Sequence, residues 1–259
     1  MTVPGHHRSR VRGSIIGQCL GDALGFPVEG AAPEVCRRYV ATHLQAMPVA
    51  VIGRVPFGFG QYTDDSQLAR ELLSSMVASQ GFDPVDYAAR IGAIFAENRI
   101  VGRGRATEMA ARRLIEGVPW DESGTPPPSA GNGSAMRVGP VGLCFHQDPE
   151  RLRQVALDQG RITHQDRRCG AGAVAIAGAV ALAVTGAAVE AGAFSDRLAA
   201  WVAPVDGAFA GSIRQLPDWV RMGPDAAFER MSQAGGGPGN DGGWHGISPF
   251  VVPSVLWSL

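Results

Sequence analysis

Apolar residues along this chain recur at three- and four-residue spacing far more often than at every second position. The helical spacing covers residues 14–24, 65–78, 84–96, 105–115, 134–145, 166–184 and 191–202. Within 65–78, for example, Leu68, Leu72, Leu73 and Met76 fall on one stripe that a helix would turn toward a core. Alternating β-branched residues are confined to residues 49–55, which is too little to found a sheet. Many helical segments and so little strand predict an all-α fold, a compact multi-helix bundle. Proline and glycine mark the loops at 25–34, 55–61, 123–133 and 233–246. Glycine-rich loops between packed helices are places where ligands meet the backbone.

Length and charge narrow the picture. A chain of 259 residues is long enough for one sizeable core, and no repeat or linker divides it. Residues 1–12, with an arginine cluster, read as a flexible solvated tail, and 13–259 as a single domain. With 23 Lys plus Arg against 24 Asp plus Glu, the net charge of -1 offers no basic stripe, so nucleic acid is not an expected partner. The four cysteines, Cys19, Cys36, Cys144 and Cys169, form no CxxC pair and read as reduced, buried small residues. Gln18 and Asp22 interrupt the N-terminal apolar segment that would make an export signal, which makes the cytoplasm the expected location. Residues 171–189 are uncharged and, apart from one threonine, are all Ala, Gly, Val, Ile or Leu. Their alanine and glycine content favours a buried core helix over a membrane span.

Candidate chemistry starts at GQYTDDSQLA, residues 60–69. Thr63 with Asp64 and Asp65 could simply start a helix, by capping and by complementing its dipole. The same three side chains present hard oxygens suited to Mg²⁺, Mn²⁺ or Ca²⁺. Upstream, GQCLGDALGFPVEG holds Asp22 in a helix and Glu29 in the loop after it. Downstream, GNGSAMRVGP, residues 131–140, is a loop that opens a helix, either an ordinary Asn-Gly turn capped by Ser134 or a backbone cradle for phosphate and ribose oxygens. RITHQDRR, residues 161–168, offers His164 beside a helix start at Asp166.

These four motifs in this order resemble the ADP-ribosylglycohydrolase family: GxxxGDALGxPVE at 17–29, GQYTDDSQLA at 60–69, GNGSAMRVGPVGL at 131–143 and ITHQD at 162–166. The resemblance runs from Gly13 to SPFVVPSVLWSL at the end, which is similar to the family's penultimate helical region. It implies an all-α orthogonal bundle with a binuclear Mg²⁺ or Mn²⁺ site in a cleft. The reaction it implies is hydrolysis of the N- or O-glycosidic bond between ADP-ribose and an acceptor, a protein side chain or a small molecule. By position Thr63, Asp64 and Asp65 would be metal ligands, with Asp64 and Asp65 catalytic through the metal. Glu29 would sit on the loop covering the substrate and assist or gate the attack. Gly131, Asn132, Gly133 and Ser134, with Met136 and Arg137 behind them, would bind the diphosphate and ribose, and His164 would lie near the same pocket. Asp22 would support the site from its helix.

One departure stands out. The family carries its second ligand set in a GGDTDT-like motif near the C-terminus, and GNDGG at 239–243 does not replace it. The expectation is therefore a domain incomplete at its C-terminus, either a fragment or a truncated relative, with an apolar patch uncovered on Val251, Val252, Val255, Leu256 and Trp257. A non-catalytic ADP-ribose-binding module is the alternative to an active hydrolase.

Overall fold

The structure is a computed structural model that describes residues 5–45, 56–186, 190–234 and 251–259. Among these residues the regular elements are all helical: α1 (Gly5–Gly25), α2 (Pro33–Tyr39), α3 (Asp64–Ala78), α4 (Pro84–Ala96), α5 (Arg105–Ile115), α6 (Gly133–Met136), α7 (Gly139–Phe145), α8 (Pro149–Arg161), α9 (Arg167–Val184), α10 (Ala191–Val202), α11 (Gly207–Arg221), α12 (Pro224–Ala234) and α13 (Val251–Ser258). A 3₁₀ turn, Phe26–Val28, follows α1, and a π turn, Val40–Gln45, follows α2. The all-α expectation holds. The alternating run at 49–55 and most of the loop at 233–246 lie outside the described residues.

Helix α9 organises the core. It lies against α6, α7, α8, α10 and α13, and Ala171, Gly172, Ala173, Val174, Ala175, Ala177, Gly178 and Ala181 are buried along it. Small side chains let neighbouring backbones approach closely. At Gly142 of α7 a Cβ would collide with the Ala177 carbonyl. Among the described residues α9 is the one helix long and apolar enough to cross a membrane, but most of its faces are spent on neighbouring helices.

The departures from the sequence reading have local causes. The tail expected over 1–12 is helical from Gly5 onward, and Arg10 donates to the Val184 and Thr185 carbonyls at 3.3 and 2.7 Å. Those are orphan acceptors at the C-terminal, negative end of α9. The single helix expected over 134–145 is split into α6 and α7. Pro140 has no N–H to give the Met136 carbonyl four residues back, and Gln18 Nε2 takes that carbonyl instead at 3.0 Å. Helices α2, α8, α11 and α12 went unread. Three of them open on a proline, a start signal that the periodicity count passes over, and Pro217 breaks the pattern inside α11.

Two expectations about buried surface are corrected. Only Cys169 of the four free cysteines is buried, while Cys144 is exposed. The apolar face of α13 is not uncovered: Val251, Val252, Val255 and Leu256 are all buried, and only Trp257 is exposed. The helix seats against α9, α11 and α12, and its first N–H, from Val251, donates to the Ala130 carbonyl at 3.0 Å.

Candidate active site

Two side chains on one face of α1, Gln18 and Asp22, four residues apart, reach the first turn of α3. Asp22 Oδ2 accepts the N–H groups of Thr63 at 2.9 Å and Ser66 at 3.1 Å. Its Oδ1 accepts the Thr63 hydroxyl at 2.8 Å. The Ser66 N–H is the N3 donor that an N-cap side chain ordinarily satisfies. Thr63 stands at the N-cap position of α3 and makes no such bond. Elsewhere Asp83, Asp148, Asp166, Glu190 and Asp206 each cap their own helix. Here the cap comes from another helix, and the Thr63 hydroxyl is released from capping.

The other flank of α3 is held by the loop between α4 and α5. The Asp64 N–H donates to the Val101 carbonyl at 2.7 Å. Gln67 donates to the Arg99 carbonyl and accepts from the Val101 N–H, at 2.9 and 2.8 Å. Gly102 has φ of +72°, and a Cβ there would lie 3.1 Å from Thr63 Cβ and 3.2 Å from Asp64 Oδ1. The Gly104 N–H donates to Asp64 Oδ2 at 3.4 Å. Only glycine permits both that conformation and that approach.

The electrostatics of this turn are one-sided. Burial pushes the Asp64 carboxyl up to about 8, with the charges of Asp65 and then Glu29 adding to it and the Gly104 N–H opposing it. Burial likewise lifts Asp65 to about 6, aided by the charges of Asp22 and Glu29. None of the ion pairs among the described residues involves Asp22, Asp64 or Asp65. Desolvated carboxylates facing one another favour binding a cation. Their hard oxygens, with that of Thr63, suit Mg²⁺ or Mn²⁺. Among the described residues no three His, Cys, Asp or Glu side chains converge in ligating geometry. The fit is therefore to an ion that also keeps water or substrate oxygens, as Mg²⁺ commonly does.

The glycine-rich loop at 131–134 adjoins this turn. Gln18 joins the two, donating to the Met136 carbonyl at 3.0 Å and toward the Asp65 carbonyl at 3.4 Å. Gly131, Asn132 and Met136 are half-buried, with solvent access. Gly133 and Ser134 are buried, and Ser134 Oγ donates to the Cys169 carbonyl at 2.8 Å rather than capping. The loop opens helix α6, which has only four residues.

Arg137 and His164 lie behind the loop. Arg137 is wholly buried; it donates to Gln159 Oε1, the Gln159 carbonyl and Thr163 Oγ1 at 2.7–2.9 Å and stands over the Tyr87 ring at 5.6 Å. His164 is 4% exposed, with Nδ1 2.8 Å from Thr163 Oγ1. Burial, reinforced by Arg137, pushes its imidazole down to about 3, so it is neutral at pH 7. A Cβ on Gly133 would lie 2.6 Å from the His164 ring. These two buried side chains, read from the sequence as standing behind the loop and near the same pocket, shape the loop from beneath. That reading passed over Gln18, Gly102 and Gly104. Spacing of four from Asp22 was a signal for the first, and two glycines between adjacent helices for the others.

The family model for ADP-ribosylglycohydrolase matches residues 4–259. The chain belongs to the ADP-ribosylglycohydrolase family. It is 32% identical to the ADP-ribosyl-dinitrogen reductase glycohydrolase of Rhodospirillum rubrum, over 63% of this chain and 54% of that protein. It is 30% identical to ADP-ribosylhydrolase ARH3 of Danio rerio, over 73% of this chain and 52% of that one. The chain thus spans about half the length of the curated relatives it matches. A solved structure, an ADP-ribosylglycohydrolase-related protein complex, superposes with a TM-score of 0.60 at 25% identity, covering 98% of this chain and 82% of that one.

Proposed function

We infer that this family member hydrolyses the glycosidic bond linking ADP-ribose to an acceptor, using Mg²⁺ or Mn²⁺ held by Thr63, Asp64 and Asp65. The observation carrying the reading is the pair of carboxyls at the start of α3, raised to about 8 and about 6 by burial and by neighbouring carboxylates, with no ion pair to either among the described residues. The relatives' names, a glycohydrolase and an ADP-ribosylhydrolase, support the reaction class. Acceptors consistent with those names are modified proteins.

Water adds to the anomeric carbon of the distal ribose, the bond to the acceptor nitrogen or oxygen breaks, and the acceptor leaves with a proton. A divalent ion would supply positive charge for the ribose hydroxyls and the attacking water. Thr63, Asp64 and Asp65 would hold that ion in place. Glu29, exposed at the end of the 3₁₀ turn and close enough to raise both aspartates, is positioned to accept the proton of the water. The half-buried backbone of Gly131 and Asn132 offers contacts to the diphosphate and ribose, and keeps the anomeric carbon near the aspartates.

The test is release of ADP-ribose from ADP-ribosylated arginine and serine peptides with added MnCl₂ or MgCl₂. Turnover that EDTA, Asp64→Ala and Asp65→Ala each abolish supports the reading. Turnover that survives all three overturns the metal assignment. A second reading, an ADP-ribose-binding module without turnover, is favoured by the short donor set among the described residues; calorimetric binding of ADP-ribose with no hydrolysis would establish it.

A further inference from the structure

A hydroxyl has one proton to give and two lone pairs to offer. Thr63 Oγ1 lies between two carboxylates, Asp22 Oδ1 at 2.8 Å and Asp65 Oδ2 at 3.2 Å. Its proton serves one of them. The shorter contact is to Asp22, which reaches in from α1 and has its other oxygen fixed by the Thr63 and Ser66 N–H groups. With the proton committed to Asp22, a lone pair of Oγ1 faces Asp65. Two oxygens then point their lone pairs at each other, and only a shared proton or a cation makes that arrangement favourable.

We propose that Asp22 is a positioning residue of this site: by taking the Thr63 hydroxyl proton, it turns the Oγ1 lone pair toward the cation that Asp65 binds. The proposal rests on the cation reading above and adds a residue that touches neither ion nor substrate. The geometry separates two jobs of one carboxylate. Oδ2 caps α3, a structural job that any acceptor there performs. Oδ1 sets the direction of one hydrogen bond, a job that needs an acceptor and not a donor.

Asp22→Asn splits these jobs. Its carbonyl oxygen can keep the two N–H groups of α3, while its NH₂ faces Thr63 and donates to Oγ1. The Thr63 proton is then turned toward Asp65 and the ion. The measurement is Mn²⁺ binding, by electron paramagnetic resonance of free Mn²⁺, together with the melting midpoint of the ion-free protein. Wild type, Asp22→Asn, Thr63→Val, Thr63→Ser and the Asp22→Asn/Thr63→Val double variant are compared.

Expected is an ion-free midpoint for Asp22→Asn within about 3 °C of wild type, since the cap is kept. Its Mn²⁺ affinity should fall at least tenfold, with Thr63→Ser close to wild type. In the Thr63→Val background, where there is no hydroxyl to orient, Asp22→Asn should cost no more than about threefold, the residue of lost negative charge. An equal factor in both backgrounds overturns the proposal and leaves Asp22 a remote charge only. Undiminished Mn²⁺ affinity in Asp22→Asn overturns it as well. If the wild type shows no Mn²⁺ binding, the cation reading itself fails and takes the proposal with it, an outcome the wild type alone reports.

Discussion

Two buried polar groups sit side by side in this molecule and are built on opposite terms. Behind the glycine loop, Arg137, Gln159, Thr163 and His164 form a network in which the guanidinium has acceptors on Nε and one Nη, an aromatic face beside it, and a neutral imidazole next door. At the start of α3, the buried Asp64 and the half-buried Asp65 are held among other carboxylates. The first network is close to satisfied from within, with only Arg137 Nη1 lacking a partner. The second has no ion-pair partner among the described residues, and its carboxyls are raised to about 8 and about 6 by burial and by the charge of neighbouring carboxylates. Burial alone does not mark a functional site; unneutralised charge under burial does.

The contrast gives opposite expectations for mutation. Arg137→Ala leaves Gln159 and Thr163 acceptors unpaired and opens a cavity beside Tyr87, and should destabilise the fold by about 3–5 kcal/mol, lowering the melting midpoint by roughly 10 °C. A shift below 3 °C would mean that the network is not a structural staple.

Acidification probes the same network through His164. Its folded value near 3 lies below the ordinary 6.5, so the unfolded chain takes up a proton that the fold refuses. The corresponding stability is present above pH 6.5 and is lost as pH falls toward 3. Between pH 7 and pH 5 this amounts to about 2 kcal/mol. In denaturant titrations His164→Gln should lose stability over that interval by correspondingly less than the wild type.

The smallest effect has the reverse sign. Asp64→Asn removes a desolvated charge while keeping an acceptor for the Gly104 N–H. It should raise the ion-free midpoint at pH 8 by about 1 kcal/mol equivalent, and abolish any rise that saturating Mn²⁺ gives the wild type. If Asn at 64 lowers the ion-free midpoint, the two regions are energetically alike and the comparison fails.

Much of the fold was legible before any coordinates. The bounds 84–96, 105–115 and 191–202 are those of α4, α5 and α10, because in these helices the apolar stripe runs from a cap to a break without interruption. The alanine and glycine of 171–184 marked a helix pressed closely against its neighbours. Where the pattern misled, a proline or a long-range bond intervened: Pro140 split one helix, and the exposed charged segment read as a tail is helical, with Arg10 bonded to the end of α9.

The candidate site divides in the same way. Residue order alone placed Thr63, Asp64 and Asp65 at the head of a helix behind a glycine-rich approach, since capping, dipole and periodicity are local properties that neighbours along the chain settle. That Asp22 caps this helix from 41 residues away, that Gly102 leaves room against Asp64, and that Arg137 and His164 face inward beneath the loop depended on packing. Helix-to-helix contact decides which oxygen meets which proton and which charge loses its water, and a one-dimensional pattern contains neither distance.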